Sequence, residues 1–179
     1  MNWKLLLFVV VLLFALGFTA KQQETPQLDE TDTPSVLHGN YLYNFARRTN
    51  WPAENLTGEF VIAIIGSQSV FEEMVRKYSG DPIGSQVLKI KNVTKLEDMG
   101  YAHMVYVSRS MSDQLDKVVK QVGTQNTLIF ANATDALNRG AHVNFIVIDN
   151  IVYFELKAGK AAQKGIQISN QLIQFAKSP

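Results

Sequence analysis

Apolar and polar residues alternate along residues 141–157, AHVNFIVIDNIVYFELK, in two runs separated by two residues. Side chains of a strand point to opposite faces in turn, so Val143, Phe145 and Val147 share one face and His142, Asn144, Ile146 and Ile148 the other. On the returning run, Val152, Phe154 and Leu156 fall together, opposite Ile151, Tyr153 and Glu155. Asp149 and Asn150 tolerate the positive φ that two-residue hairpin turns need, so the pattern predicts a hairpin. The period then changes. Ala158, Ala162, Gly165, Ile166, Ser169, Leu172, Ile173 and Ala176 recur every three or four residues, which predicts one closing helix over 158–176. Gly165 would lie inside that helix, where glycine costs about 0.5–1 kcal/mol relative to alanine. With its small neighbours it predicts a helix face pressed on the sheet near Asn144 and Phe145.

The rest of the chain repeats a strand-then-helix order. Leu37, Tyr41, Leu42 and Phe45 stand at helical spacing, predicting a helix over 36–48 with Ser35 as N-cap and Trp51-Pro52 as its stop. FVIAII, residues 60–65, is an apolar run suited to a strand covered on both faces. A short helix follows over 69–78, with Phe71, Met74, Val75 and Tyr78 inward. GDPIG at 80–84 is a turn, and 86–93 alternates as a strand open on one side. Residues 95–100 make a short helix or turn. Strands at 102–107 and 127–131 flank a helix over 112–122 whose stripe is Leu115, Val118, Val119 and Val122, and 135–138 form a helical turn. This order predicts a single compact α/β domain: a mixed, mostly parallel sheet with helices on both faces and a C-terminal hairpin plus helix.

Length and composition fit that picture, since 179 residues with 46% hydrophobic can bury one sizeable core. Residues 1–20 stand outside it. A short n-region with Lys4, an apolar run from Leu5 to Phe14 and small residues at Ala15 and Gly17 read as a cleaved signal peptide, cut after Gly17 or after Ala20. The apolar stretch is shorter than the roughly 20 residues that span a bilayer, so no membrane insertion is expected after cleavage. Residues 21–35 are polar and twice interrupted by proline, a flexible leader ahead of a domain at 36–177. Asp29, Glu30 and Asp32 read as solvated linker carboxylates.

Charge and chemistry narrow the function. Losing residues 1–20 removes one of 17 basic residues and no acid, leaving 16 of each sign. A neutral chain argues against nucleic acid as a partner. There is no cysteine, hence no disulfide and no lipid anchor. His38, His103 and His142 form no local zinc pattern, so neither metal nor cofactor is expected. Gly66-Ser67-Gln68 lacks the nucleophile-elbow spacing, and Ser67 and Ser69 read as helix caps. IIGSQS carries one glycine, too few for a dinucleotide loop. No carboxylate pair is placed for acid–base work, and the chain reads as no enzyme. The Asn-x-Thr sequons at Asn55, Asn92 and Asn132 read as chance. Tyr41, Tyr43, Asn44, Phe45 and Trp51 form one aromatic cluster, and Tyr43, Asn44 and Trp51 are the candidates for partner contact.

Six segments, in order, resemble the YfiR-like periplasmic proteins: YLYNFARRTNWP, FVIAIIG, GDPIGSQVLKIKNV, AHMVYVS, RGAHVNFIVIDNIVYFEL and GIQISNQLIQFA. Together they run from Val36 to Lys177. The resemblance implies a non-enzymatic periplasmic regulator that binds and represses the extracytoplasmic part of a membrane signalling protein. That partner would be a diguanylate cyclase of cyclic-di-GMP signalling or a sensor kinase; a homodimer is compatible with it. Two departures stand out. Ala102 takes the place of a family cysteine, and Lys157 follows the Phe-Glu strand where the family often has asparagine. A second reading is a periplasmic small-ligand-binding protein. Its crevice would lie at the carboxyl ends of the parallel strands and be lined by residues 66–69 and 108–110.

Overall fold

The computed structural model describes residues 32–149 and 151–177. The signal peptide and most of the leader expected from the sequence lie outside the described residues. No helix among the described residues is long and apolar enough to cross a membrane.

Helix α1 spans Asp32–Arg47, and a two-residue strand β1, Thr49–Asn50, follows it. Then come β2 (Glu59–Ile65), α2 (Gln68–Tyr78), β3 (Pro82–Ile83), β4 (Gln86–Val93), β5 (Met104–Val107), α3 (Leu115–Val122) and β6 (Leu128–Ala131). The chain closes with β7 (Val143–Ile148), β8 (Ile151–Leu156), α4 (Ala158–Ala162), β9 (Gln167–Ile168) and α5 (Asn170–Phe175). Seven strands form one sheet in the order β3-β4-β2-β5-β6-β7-β8. The neighbours from β4 to β7 are parallel, and both outer strands, β3 and β8, run antiparallel to theirs. The expected mixed, mostly parallel sheet is present.

The hairpin has the register that its alternation predicts. Phe145 lies opposite Phe154, Val147 opposite Val152 and Ile148 opposite Ile151. Asp149 adopts the positive φ of 51° at the turn. Phe145, Phe154, Phe130 and Phe60 share the sheet face covered by α1, α2 and the C-terminal segment. Phe45 of α1 stands edge-on between Phe130 and Phe154, with ring centres 5.0 and 5.2 Å away. The opposite face, with Ala63, Ile65, Val105, Val107 and Ile129, is covered by Leu115, Val118 and Val122 of α3.

Several local expectations are corrected. Helix α1 begins at Asp32, because Pro34 falls in its first turn, where a missing N–H costs nothing. Ser35 is therefore inside the helix rather than its cap, and its Oγ bonds the Ser69 hydroxyl at 2.8 Å. Val75 of α2 is 39% exposed; Met74 is buried as expected, and Val70 is buried in place of Val75. Ser67 does cap α2, its Oγ accepting from the Val70 N–H. The 112–122 segment is a 3₁₀ stretch followed by the α-helix at Leu115.

The largest correction concerns the closing helix, which is broken in two. Gly165 has φ of 71°. The Gly165 N–H donates to Ala162 O at 2.9 Å and the Ile166 N–H to Ala161 O at 3.1 Å. That pair of bonds is a Schellman termination, with buried Ile166 against buried Ala161 as its apolar contact. The chain then pairs as β9 with β1, Thr49 opposite Ile168. Ser169 N-caps the second helix, accepting from Leu172 N–H. Gly165 thus does not press on the sheet at Asn144–Phe145. A Cβ placed on it would lie 2.9 Å from Cγ of Pro52.

Both the backbone and the Pro52 ring oppose a side chain there. Gly165→Ala is expected to destabilise by about 1–2 kcal/mol, the cost of a non-glycine residue in the left-handed region. Helix propensity alone would have it stabilise. Urea denaturation measures the difference, and an alanine variant as stable as the parent contradicts the broken helix.

Candidate functional site

Helix α1 presents two different sides. Leu42, Phe45 and Ala46 are buried, and His38 stacks on Phe145 with 4.6 Å between ring centres. Tyr43 and Asn44, the expected contact residues, are half-buried. Tyr43 stacks face to face on Tyr78 at 4.0 Å and its hydroxyl donates to Asp81 Oδ2 at 2.7 Å. That bond to a carboxylate is the chief reason its pKa is raised. The Arg47 guanidinium lies 5.6 Å above the same ring. Asn44 donates through Nδ2 to Asn40 O at 2.8 Å. Trp51, the third candidate, is only 6% exposed, edge-on to Phe60 at 4.9 Å. Its ring fills core between the end of α1 and β2, so it stands apart from Tyr43 and Asn44.

Asn44 borders a groove of about 400 Å³ that the broken closing helix creates. Tyr41, Asn44 and Arg48 form one wall, Tyr153 and Phe154 of β8 the floor, and Gln171, Leu172 and Phe175 of α5 the other wall. The Tyr41 hydroxyl donates to Val152 O at 3.1 Å, tying α1 to the edge strand. Arg48 Nη1 donates to the Gln171 side-chain oxygen across the groove. Lys177 Nζ sits 4.5 Å above the Tyr153 ring. The sequence offered one sign of this groove: Phe175 lies off the apolar stripe of the closing helix, where a large aromatic has no core to enter.

The crevice expected from residues 66–69 and 108–110 is filled. Ser108 and Ser110 both donate to Gly66 O, at 2.8 and 2.7 Å. A Cβ on Gly66 would meet Met111 Cγ at 2.2 Å, so Met111 occupies the space beside that turn. The open cleft at this end of the sheet lies further along, at β6 and β7. It measures about 420 Å³ and includes Arg109, Asn132, Thr134, Asn144 and Glu155. Asn144 is buried, accepting from Ala133 N–H at 3.2 Å and donating to Glu155 Oε2 at 3.2 Å.

The three histidines are buried. His103 is held at both nitrogens: Nδ1 accepts from Val61 N–H at 3.1 Å and Nε2 lies 2.8 Å from Asn55 O. His142 Nδ1 accepts from Ile129 N–H at 3.0 Å. His38 Nδ1 lies 3.2 Å from the Tyr106 hydroxyl, and its Nε2 has no hydrogen-bond partner. Burial lowers His38 and His142 from 6.5 to about 4, helped for His142 by Lys164 and Lys160, and it lowers His103 as well. No group of three or more His, Cys, Asp or Glu residues that could hold a metal occurs among the described residues.

Neutral buried histidines make the fold acid-sensitive. The unfolded chain takes up protons as the pH falls below 6.5, while folded His38 and His142 stay neutral until about 4. The stability they hold is complete above pH 6.5 and is lost as the pH falls through that window, at about 1.4 kcal/mol per pH unit for each. Urea midpoints measured from pH 7 to pH 5 are expected to drop steeply, and His38→Phe to reduce the slope. A flat profile contradicts this.

No curated protein matches the chain. Among solved structures, the chain resembles a protein described as a conserved domain protein from Vibrio cholerae O1 biovar El Tor, with a TM-score of 0.55 at 12% identity. The likeness covers 81% of this chain and 60% of that one, and at this identity it speaks for the fold alone. A profile described as YfiR/HmsC-like matches residues 35–177, nearly all of the described chain. With the six sequence segments lying on the strands and helices described above, the chain belongs to the YfiR/HmsC-like family.

Proposed function

We propose that this protein is a non-enzymatic periplasmic regulator that binds the extracytoplasmic part of a membrane signalling protein and holds it inactive. The observation that carries the reading is family membership over residues 35–177, since the family is one of periplasmic regulators. The side chains agree with it. The histidine nitrogens that bond do so within the fold, with backbone groups or the Tyr106 hydroxyl. Exposed large apolar side chains include Val147, Ile148 and Ile151 at the hairpin tip and Ile173 and Phe175 on α5, besides Leu56, Val75, Val87 and Tyr101 elsewhere. Exposed apolar side chains such as those on α5 are candidates for protein association. The partner is a diguanylate cyclase or a sensor kinase, met through its periplasmic domain.

A small-ligand site is the second reading. It is favoured by the polar cleft at the carboxyl ends of β6 and β7, where open α/β sheets tend to take ligands. A ligand confined to the native state would raise the thermal midpoint in a metabolite screen. Affinity capture from envelope extract tests the main reading. The tagged protein is expected to retain an integral membrane protein bearing a cyclase or kinase domain, and deleting its gene to raise that protein's output. Capture of no such protein, with unchanged output, overturns the reading.

A further inference from the structure

We infer that the groove between α1, β8 and α5 is the docking surface for the partner, and that it accepts an acidic segment carrying an apolar or aromatic anchor. The inference rests on the regulatory reading for the partner's role, but the groove's chemistry stands on its own observations.

The first observation is apolar. Phe175, at 67% exposure, is the most exposed of the large hydrophobic side chains among the described residues. It faces the groove with Tyr41 and Tyr153. With Phe154 of the floor, four aromatic rings about one concavity form the kind of anchor pocket that dominates interface energetics.

The second is charge. Arg48 lines the groove and Lys177 lies over Tyr153 at its floor, while no Asp or Glu lines it. Neither cation forms an ion pair among the described residues. Arg48 spends one N–H on the neutral Gln171 side chain, leaving the rest of its fork for a carboxylate. On a chain whose charges balance overall once residues 1–20 are removed, this is a local positive field, and the complementary surface is acidic.

The third opposes other modes. A free edge strand invites a partner strand. Here Val152 O already accepts from the Tyr41 hydroxyl and Phe154 O from the Lys177 N–H, so two outward carbonyls of β8 are engaged where a partner strand would pair. The segment therefore binds through side chains. An isologous contact with a second copy would set like cations of both copies against each other, which opposes self-association.

The test uses a fluorescein-labelled dodecapeptide of Asp and Glu residues with Leu and Phe anchors, and its counterpart with every acid replaced by Lys. Anisotropy titrations are run on the full chain. The acidic peptide is expected to bind at least tenfold tighter than the basic one and to weaken with added salt. Arg48→Glu and Phe175→Ser should each lower its affinity at least tenfold, with unchanged circular dichroism and urea midpoint. Amide shifts on binding should fall on α1, β8 and α5. Equal binding of the two peptides, shifts confined to the hairpin tip, or concentration-dependent dimerisation through this face overturns the inference. If envelope capture works equally well with Arg48→Glu, the partner docks elsewhere and the inference falls while the regulatory reading stands. If the peptide binds in the groove but capture returns nothing, the regulatory reading falls and the groove's chemistry stands.

Discussion

A single left-handed residue directs the end of this chain. Gly165 stops α4 with its φ of 71°, and the two Schellman bonds to Ala161 and Ala162 fix the direction of exit. Ile166 drops into the core, Gln167 and Ile168 pair with Asn50 and Thr49, and Ser169 starts a new helix. The Pro52 ring fills the space that a side chain at 165 would need. The break sets α5 beside α1 at the edge of β8, and the groove lies between them.

What the turn connects is itself rigid. Phe45 holds α1 to the sheet between Phe130 and Phe154, and Tyr41 adds an edge-on contact with Phe154 at 5.3 Å and a hydrogen bond to the edge strand. Gly39 lets α1 come close to α2, since a Cβ there would lie 3.3 Å from Met74 Cγ. Aromatic packing of this kind supplies a chain without cysteine with the stability that exported domains often draw from disulfides. Two of the buried histidines belong to the same layer: His38 stacks on Phe145 at 4.6 Å and His103 on Phe60 at 4.3 Å.

The sheet was legible because its signals are local. Continuous apolar runs marked β2, β5 and β6, and strict alternation gave the hairpin register down to Phe145 opposite Phe154. Two helix boundaries were misjudged where neighbouring residues carry ambiguous signals. Pro34 looks like a barrier but sits in a first turn, and Gly165 with Ser169 is a stop and a cap inside an otherwise helical stripe. The groove was only partly legible. Asn44 borders the groove, Tyr43 stacks on Tyr78 beside Arg47, and Trp51 is core. Arg48, Tyr153, Phe175 and Lys177 come together only through long-range pairing of the chain's two ends, which no local pattern records.

We propose that the folded-back end of the chain forms the face that meets a membrane partner. Photo-crosslinking in intact cells tests it most directly, with p-benzoylphenylalanine in place of Phe175 and, separately, in place of exposed Val87 on the far side of the sheet. A membrane signalling protein is expected to be crosslinked from position 175 and not from 87. The same crosslink from 87 alone, or none from 175 when the protein is abundant, would contradict it.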